Sequence, residues 1–236
     1  MHSVPLYTAE QVRAAEAPLL AAGEPLMDIA AAALARIAAE SLAEFDAADG
    51  SPRRPRVLVL AGSGNNGGDA LFAAARLAGR AEVELLPASS RRHEAGFAAA
   101  LAAGAREIDL AELCARIRAD GYDLVLDGVL GIGTAADPAL RGEAREAVLE
   151  LLPSVRAGRS RVLAVDLPSG LHPDTGEADD AVLPAATTVT FGAVKRGLAR
   201  GRGPELSEGI VLVDIGLGEG LAGAAPSGRA QVSRIL

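Results

Sequence analysis

The feature that most constrains the fold is a regular alternation of short apolar runs with helix-like segments. The apolar runs are rich in valine, leucine and isoleucine, and they predict strands at 56–61, 82–87, 122–128, 161–166, 187–191 and 210–214. Helices are predicted between them at 68–80, 90–103, 110–119 and 142–152. Strands that are apolar throughout and alternate with helices are typical of a parallel sheet covered on both faces. The pattern therefore predicts a three-layer αβα sandwich, with a Rossmann-like, doubly wound and mainly parallel sheet.

Two further helices are predicted ahead of these strands. Thr8 is a helix-capping residue type, and the helix after it is expected to end near Gly23. The second helix begins after Pro25 and is apolar over so wide an arc that it is expected to meet several neighbours, a second subunit included. We expect one domain over 1–236, made of N-terminal helices at about 8–45, an α/β core at about 56–217 and a tail at about 219–236. The tail is expected to be loosely ordered, with room for a short final strand or turn.

Composition and charge exclude several classes of function. The chain has 31 acidic residues against 23 lysines and arginines, so its formal net charge is −8 at pH 7. An acidic chain without a basic stripe is not expected to bind nucleic acid or an anionic membrane surface. A single cysteine excludes an internal disulfide. Because neither a spanning apolar run nor a secretion signal is present, we expect a cytoplasmic protein.

A glycine- and asparagine-rich segment follows the first predicted strand of the core. It reads Gly-Ser-Gly-Asn-Asn-Gly-Gly-Asp over 62–69 and leads into a predicted helix. Glycine lets the backbone approach a ligand closely, and free N–H groups at a helix start attract anions. The segment lacks the Gly-Lys-Ser/Thr ending of a P-loop and does not match the strict Gly-x-Gly-x-x-Gly dinucleotide motif. It predicts a cradle for an anionic or nucleotide-like ligand.

Polar residues also follow three other predicted strands. Asp127 and Asp166 each lie at a strand end, and Lys195 follows a third strand. Taken singly, each aspartate is typical of a turn or cap, and the lysine is typical of a protein surface. Parallel strands have their carboxyl ends at one edge of the sheet, which is where doubly wound folds bind ligands. Together with the glycine-rich segment, these residues favour ligand or cation binding.

Four ordered motifs run along the chain: Gly62-Ser63-Gly64-Asn65-Asn66-Gly67-Gly68-Asp69, Asp127 with Gly131-Ile132-Gly133-Thr134, Val165-Asp166-Leu167-Pro168-Ser169-Gly170, and Thr188-Val189-Thr190-Phe191-Gly192 with Lys195 and Gly197. Together they resemble the YjeF N-terminal family. The likeness covers roughly residues 5–217 and includes Tyr7-Thr8, Gln11-Val12-Arg13 and Glu16 in the first helix. Two departures stand out. Ala70 replaces a common further glycine, and Met27-Asp28-Ile29-Ala30-Ala31 replaces Met-Glu-x-Ala-Gly.

The resemblance implies an NAD(P)H-hydrate epimerase. Such enzymes interconvert the R and S forms of hydrated NADH and NADPH, called NADHX and NADPHX, at C6 of the reduced nicotinamide ring. A separate ATP- or ADP-dependent dehydratase then repairs the S form, so a dehydratase is implied as a functional partner. We expect this chain to be too short to carry that second activity itself. The resemblance also implies a homodimer that meets through the N-terminal helices.

The resemblance also assigns residues to the site. It implies one potassium ion per subunit, held by Asn66, Asp127 and Ser169, and oxygen ligands of this kind suit a hard cation. Asp166 is implied to face the substrate, and we expect its carboxyl to act as both acid and base at C6. Substrate contacts are implied at Asn65, Asn66, Gly67, Gly68, Asp69, Gly131, Ile132, Gly133, Thr134, Ala135, Ala136, Asp137 and Asp166. From its position beyond a strand end, Lys195 is expected near a phosphate.

Two other functions remain open on the sequence. The first is a non-catalytic nucleotide-binding or scaffold module of the same fold. The presence together of Asn66, Asp127, Asp166 and Ser169 argues against a degenerate scaffold. The second is a reductase, which would transfer a hydride from intact NAD(P)H, and the fold alone does not separate a reductase from an epimerase.

Overall fold

A computed structural model describes residues 1–49, 53–133 and 137–236. Within these residues the helices are α1 (Ala9–Ala21), α2 (Leu26–Asp49), α3 (Asn65–Leu77), α4 (Glu94–Ala102), α5 (Leu110–Ala119), α6 (Gly142–Arg156), α7 (Gly203–Leu206) and α8 (Gly218–Leu221). The strands are β1 (His2–Tyr7), β2 (Arg56–Ala61), β3 (Glu82–Pro87), β4 (Arg106–Glu107), β5 (Leu124–Gly128), β6 (Arg161–Val165), β7 (Ala185–Phe191), β8 (Val194–Lys195), β9 (Ser207–Val213), β10 (Arg229–Val232) and β11 (Arg234–Ile235).

A parallel sheet forms the centre of the fold. In the described part of the chain its strands lie in the order β11-β9-β7-β6-β5-β2-β3-β4, and each neighbouring pair is parallel. The chain moves from β2 outward through β3 and β4, and then returns to β5 and moves outward the other way. The strand order therefore reverses between β2 and β5. Doubly wound sheets bind ligands at this point, beyond the carboxyl ends of the strands, which here are Ala61 and Gly128.

Helices cover both faces of the sheet. The helices α1 to α4 contribute to the core on the face that carries Val57 and Val59. The helices α5 and α6 pack on the opposite face with Leu58 and Leu60. Successive residues of β2 thus point into different cores, which explains why the strand is apolar throughout. The predicted three-layer αβα sandwich with a parallel sheet is confirmed.

The ends of the helices follow from local sequence. Thr8 caps α1, because its Oγ1 accepts a hydrogen bond from the Gln11 N–H at 3.1 Å while Gln11 Oε1 accepts one from the Thr8 N–H at 2.9 Å. The helix α3 begins at Asn65, three residues before the predicted start at Gly68. Two glycines in its first turn have low helix propensity, so the sequence alone places the start too late. The other predicted core elements are present with ends within about four residues of those expected.

The longest helix, α2, has 24 residues and packs on the sheet and on α3. Ala31, Leu34 and Ala38 are fully buried within it, so much of the wide apolar arc is covered by the protein's own core. In the part of the chain that the structure describes, no helix combines the length and the hydrophobicity needed to cross a membrane.

The C-terminal segment is more ordered than the sequence predicts. The expected loose tail at 219–236 instead contains α8, β10 and β11. Strand β10 pairs antiparallel with β1, and β11 adds to the edge of the main sheet beside β9. Val232 is fully buried in a third apolar cluster with Val4 and Leu6. The expected looseness is wrong, whereas a short final strand is present as β11. The tail has few apolar residues of its own, and β10 gains its order by pairing with the N-terminal strand β1.

The order of the tail can be tested by truncating Val232. Replacing a fully buried valine by alanine should lower the free energy of unfolding by about 2 kcal/mol, from lost burial and an unfilled cavity. Urea unfolding of Val232→Ala measures this, with Gln231→Ala as a control on an exposed position of the same strand. A change below about 0.5 kcal/mol, typical of surface sites, would mean that the tail is not part of the core.

Candidate functional site

Glycines allow very close backbone packing at the reversal of the strand order. A Cβ atom on Gly67 would lie 1.9 Å from the Gly62 carbonyl oxygen, and one on Gly62 would lie 2.0 Å from the Val129 carbonyl oxygen. Neither glycine has a positive φ, so each is required by space and not by a left-handed backbone. The first turn of α3 is thereby held directly against the segment that follows β5.

A cavity of about 420 Å³ opens at this edge of the sheet. Its walls come from α1, α2, the start of α3, the end of β7, and the segments after β2, β5, β6 and β9. Three carboxyl side chains line it, those of Glu16, Asp69 and Asp166, together with the guanidinium of Arg13. Most of the remaining wall is apolar, which is typical of a small-molecule site with a few polar groups that orient the ligand.

Asp166 is held in an unusual backbone conformation. Its φ is 67°, and it is the one non-glycine residue with a positive φ in the described part of the chain. Its Oδ1 accepts hydrogen bonds from Thr190 Oγ1 at 3.1 Å, from the Phe191 N–H at 3.3 Å and from Lys195 Nζ. A left-handed aspartate that costs backbone strain and is fixed by three donors is typical of a functional site.

Lys195 does not face the cavity, which corrects its predicted role beside a phosphate. The side chain is only 1% exposed. Its Nζ donates to Asp166 Oδ1, to the Phe191 carbonyl at 2.9 Å and to Thr190 Oγ1 at 3.2 Å. All three donor positions are thus directed at protein atoms. The short strand β8 places the lysine inside the protein, where its ammonium fixes the orientation of the Asp166 carboxyl. Because Asp166 Oδ1 accepts three hydrogen bonds, this side chain is well placed to serve as a base.

Asp69 is the least compensated acid of the cavity. It is 8% exposed, and no hydrogen bond or ion pair reaches its carboxyl from the residues that the structure describes. Burial raises the pKa of Asp69, the nearby charges of Asp166 and Glu16 raise it as well, and Lys195 opposes them, so that together these effects bring it to about 8. Burial also raises the pKa of Glu16, with Lys195 and Arg13 acting against that change and Asp166 in its favour.

A second polar cluster lies beneath the cavity around the segment after β5. Asp127 is fully buried, and its Oδ2 accepts a hydrogen bond from the Ser169 N–H at 2.8 Å. Ser169 Oγ accepts from the Leu130 N–H at 2.9 Å, and Asn66 Nδ2 donates to the Leu130 carbonyl at 3.1 Å. The structure therefore brings together the three predicted cation ligands. Among the described residues, no group of three or more histidine, cysteine, aspartate or glutamate side chains is placed to hold a metal ion. A cation at this cluster would therefore depend on amide, hydroxyl and carbonyl oxygens as well as on the one carboxyl.

The Asp127 carboxyl is the part of this cluster that fits a cation. Its Oδ1 is buried and has no hydrogen-bond partner among the described residues. Burial raises the pKa of Asp127, while the hydrogen bonds from Ser169 and the Val129 backbone act against that rise. An unsatisfied carboxylate oxygen, a serine hydroxyl, an asparagine amide and the Leu130 carbonyl are all hard oxygen donors, which suit an alkali or alkaline-earth cation.

The other predicted substrate-binding residues fall into four groups. Asn65, Asn66 and the segment 131–133 line the cavity. Gly67 and Gly68 are buried behind its wall and shape the first turn of α3. Asp137 lies on the surface, where it accepts a hydrogen bond from Arg141 at 2.6 Å and does not line the cavity. Thr134, Ala135 and Ala136 lie outside the described residues.

Two residues of α1, Arg13 and Glu16, line the cavity, and the sequence alone predicts no role for them. Arg13 and Glu16 are three residues apart, so they lie on the same side of the helix. Arg13 donates a hydrogen bond to the Ile132 carbonyl at 2.5 Å and so joins α1 to the segment after β5. Their spacing in the sequence indicates that they share a side of the helix. It does not indicate that this side faces the cavity, because the position of α1 depends on tertiary packing.

Comparison with known proteins assigns the fold and site to one family. The model of the family described as YjeF-related protein N-terminus matches residues 23–197, which is well over half of the chain. This chain belongs to that family.

Several relatives are similar over nearly the full chain. An NAD(P)H-hydrate epimerase of Microbacterium testaceum is 56% identical over 225 residues, which are 95% of this chain and 83% of the relative. One from Clavibacter michiganensis subsp. michiganensis is 53% identical over 231 residues, 95% of each chain. A bifunctional NAD(P)H-hydrate repair enzyme of Mycobacterium tuberculosis is 38% identical over 89% of this chain but only 41% of its own length.

A solved structure supports the architecture. The crystal structure of the yeast protein YNL200c superposes with a TM-score of 0.71 and covers 83% of this chain and 84% of its own. Sequence identity is 18%, so the likeness establishes the fold alone.

The buried acid in the cavity should cost stability at neutral and alkaline pH. The raised pKa of Asp69 means that the folded state keeps a proton which the unfolded state loses above about pH 4. The resulting loss of stability grows with pH and levels off above about pH 8. Asp69→Asn should therefore stabilise the protein by about 1–3 kcal/mol more at pH 8 than at pH 6, since each pH unit is worth about 1.4 kcal/mol.

Urea unfolding at the two pH values tests this expectation. Asp120→Asn provides the control, because that side chain is 60% exposed, pairs with Arg56 and lies away from the cavity. Its effect should be the same at both pH values. An equal effect of Asp69→Asn at pH 6 and pH 8 would contradict a carboxyl that retains its proton in the folded state.

Proposed function

We propose that this chain is an NAD(P)H-hydrate epimerase, an isomerase that interconverts the R and S forms of NADHX and NADPHX at C6 of the nicotinamide ring. The observation that carries the proposal is the 56% and 53% identity, over almost the whole chain, to relatives that bear this name. The cavity supports it independently, because carboxyl groups and an apolar wall meet at the edge of the sheet where nucleotide ligands bind.

The reaction requires a bond to the C6 oxygen to break and form again on the other face. The ring nitrogen next to C6 carries a lone pair that can expel the hydroxyl and leave an iminium ion. Water then adds to the opposite face. The enzyme must supply a proton to the departing oxygen, remove one from the incoming water, and stabilise positive charge on the ring between these events.

Asp166 fits the last two of these tasks. Its Oδ1 is occupied by Thr190, Phe191 and Lys195, whereas its Oδ2 has no hydrogen-bond partner in the described residues. The carboxylate thus presents one fixed, free oxygen at the cavity. That oxygen is suited to take a proton from water and to stabilise an adjacent cation. Lys195 acts through Asp166, as a positioning residue that holds the carboxyl in a fixed orientation.

The phosphates of the nucleotide substrate are anionic, so the site needs groups that bind anions. The first turn of α3 offers N–H groups next to Asn65 and Asn66, and a helix start favours anions. Gly131, Ile132 and Gly133 also line the cavity and offer backbone groups, and Arg13 offers a positive charge. We assign these residues to substrate binding, together with the neighbouring segment 134–136.

We propose a potassium ion as the cofactor, one per subunit, held by Asn66, Asp127 and Ser169. The supporting observation is the buried Asp127 Oδ1, which has no partner among the described residues. When bound, the ion would supply positive charge that offsets the Asp127 carboxylate and the phosphates of the substrate. Asn66 would turn its amide oxygen toward the ion, since the two ends of an amide are assigned from hydrogen bonding alone.

Further parts of the proposal concern partners and location. The S product is expected to pass to a dehydratase, and the bifunctional name of the Mycobacterium tuberculosis relative fits this coupling. A homodimer through the N-terminal helices is supported by the exposed side chains of Leu20 and Ile29 on α1 and α2. A cytoplasmic location stays a prediction.

A coupled assay tests the proposed activity directly. Purified protein is incubated with R-NAD(P)HX and an S-specific dehydratase, and the recovery of NAD(P)H is compared with the spontaneous rate. Acceleration is expected. Nucleotide binding without acceleration would favour the non-catalytic binding module, and hydride transfer from intact NAD(P)H would favour a reductase.

Loss of the Asp166 charge should abolish the reaction without preventing binding. Asp166→Asn keeps the shape of the side chain but can neither accept a proton nor stabilise the iminium ion, so kcat should fall by about 10²–10⁴-fold. KM should change little. The coupled assay measures both after subtraction of spontaneous epimerisation. Full activity of this variant would rule out Asp166 as the base.

Binding of potassium should stabilise the wild-type protein through Asp127. A ligand at a hundredfold excess over its dissociation constant adds about 2.7 kcal/mol to the free energy of unfolding. The midpoint of thermal unfolding is measured in potassium chloride and in N-methylglucamine chloride at equal ionic strength. Potassium should raise it in the wild type and not in Asp127→Asn. Equal midpoints of the wild type in the two salts would contradict a potassium site.

A further inference from the structure

The cavity holds more carboxyl groups than positive partners. Glu16 comes from α1, Asp69 from α3 and Asp166 from the end of β6. Lys195 is committed to Asp166. This leaves Arg13, one of whose N–H groups donates to the Ile132 carbonyl at 2.5 Å, as the remaining cation that lines the cavity among the described residues. Three carboxylates in one partly dry site repel each other, so the group that is least stabilised as an anion keeps a proton.

The surroundings of the three acids differ in how well they stabilise an anion. Asp166 Oδ1 accepts hydrogen bonds from a hydroxyl, a backbone N–H and an ammonium. Glu16 is only half-buried and lies one helical turn from Arg13. Asp69 is buried and receives no hydrogen bond or ion pair from the described residues. Asp69 is therefore the position at which the site retains a proton.

We propose that Asp69 is the acid that protonates the departing hydroxyl at C6, while Asp166 is the base that activates the incoming water. This inference rests on the proposed epimerase function and divides between two residues the task that one carboxyl was expected to perform. It gives Asp69 a catalytic role in addition to contact with the substrate. The raised pKa of Asp69, about 8, is consistent with a group that still carries its proton at neutral pH.

The step balances in atoms and electrons. The C6–O bond breaks as the lone pair of the ring nitrogen forms the iminium double bond, and the proton of Asp69 goes to the leaving oxygen to give water. A second water then forms a C6–O bond on the opposite face while Asp166 takes its proton, and the iminium electrons return to nitrogen. Proton transfer from Asp166 to Asp69 through solvent in the cavity restores the starting state.

Glu16 influences the protonation of Asp69 through its charge. Its charge raises the pKa of Asp69, while the Lys195 charge lowers it. Glu16 therefore acts through Asp69 and is a positioning residue for its proton. Neutralising Glu16 should lower the pKa of Asp69, so Asp69 should lose its proton, and the enzyme its activity, at a lower pH.

The test compares pH profiles of the wild type, Asp69→Asn and Glu16→Gln between about pH 6.5 and 9.5 in the coupled assay. The wild-type kcat should fall as pH rises through about 8, where Asp69 loses its proton. Asp69→Asn should lose about 10²–10⁴-fold in kcat, with little change in KM and no remaining fall near pH 8. Glu16→Gln should keep the fall but shift its midpoint to lower pH. Asp120→Asn, with its exposed side chain, should behave as the wild type.

Each outcome decides between the alternatives. An active wild type together with an Asp69→Asn variant of undiminished kcat overturns the assignment of Asp69 and leaves the epimerase function standing. A variant that loses activity but keeps the wild-type fall near pH 8 also overturns it, because another group would then set the profile. A wild type that does not accelerate epimerisation overturns the proposed function, and the role of Asp69 falls with it. Unfolding measurements on each variant separate lost chemistry from lost structure.

Discussion

Close packing of backbone between β2, the start of α3 and the segment after β5 is the constraint on which the site depends. A Cβ atom on Gly62 would lie 2.0 Å from the Val129 carbonyl oxygen, and one on Gly67 would lie 1.9 Å from the Gly62 carbonyl oxygen, so only glycine permits these contacts. This contact brings the first turn of α3 against the buried polar cluster of Asp127 and Ser169. It also directs Asp69 into the same cavity as Asp166. The glycine-rich segment is thus first a packing element, and its value for ligand binding follows from what the packing brings together.

The electrostatics of the cavity explain how one small site can serve opposite proton transfers. Asp166 is fixed in orientation because the buried ammonium of Lys195 donates to it, whereas Asp69 is buried without such a partner among the described residues. Two carboxyl groups whose surroundings favour different protonation states can act as acid and base in the same reaction. The unpaired acid lowers stability, which is a common cost of a functional site. The guanidinium of Arg13, and a cation held by Asp127, would then offset the charge of an anionic substrate.

Local pattern predicted the architecture well, and long-range packing accounts for what it missed. The apolar runs predicted β2, β3, β5 and β6, because strands buried on both faces have no polar side. The position of the site was also predictable, because the carboxyl ends of parallel strands lie at one edge of the sheet and ligands bind there. Pairing of β1 with β10 joins the two ends of the chain, and no local signal reports such a contact. The inward turn of Lys195 and the docking of Glu16 over the cavity likewise depend on tertiary structure. A helix start at Asn65 was hidden by the glycines after it.

The chemistry at C6 can be followed most directly by isotope exchange during epimerisation of purified R-NAD(P)HX. The wild-type protein is incubated with this substrate in water enriched in the heavy isotope of oxygen, without a dehydratase, and both epimers are analysed by mass spectrometry. Departure of the hydroxyl and return of water predict that heavy oxygen enters the S product as it forms, at a rate well above that without protein. Formation of the S epimer with its original oxygen, or no acceleration at all, would contradict this mechanism.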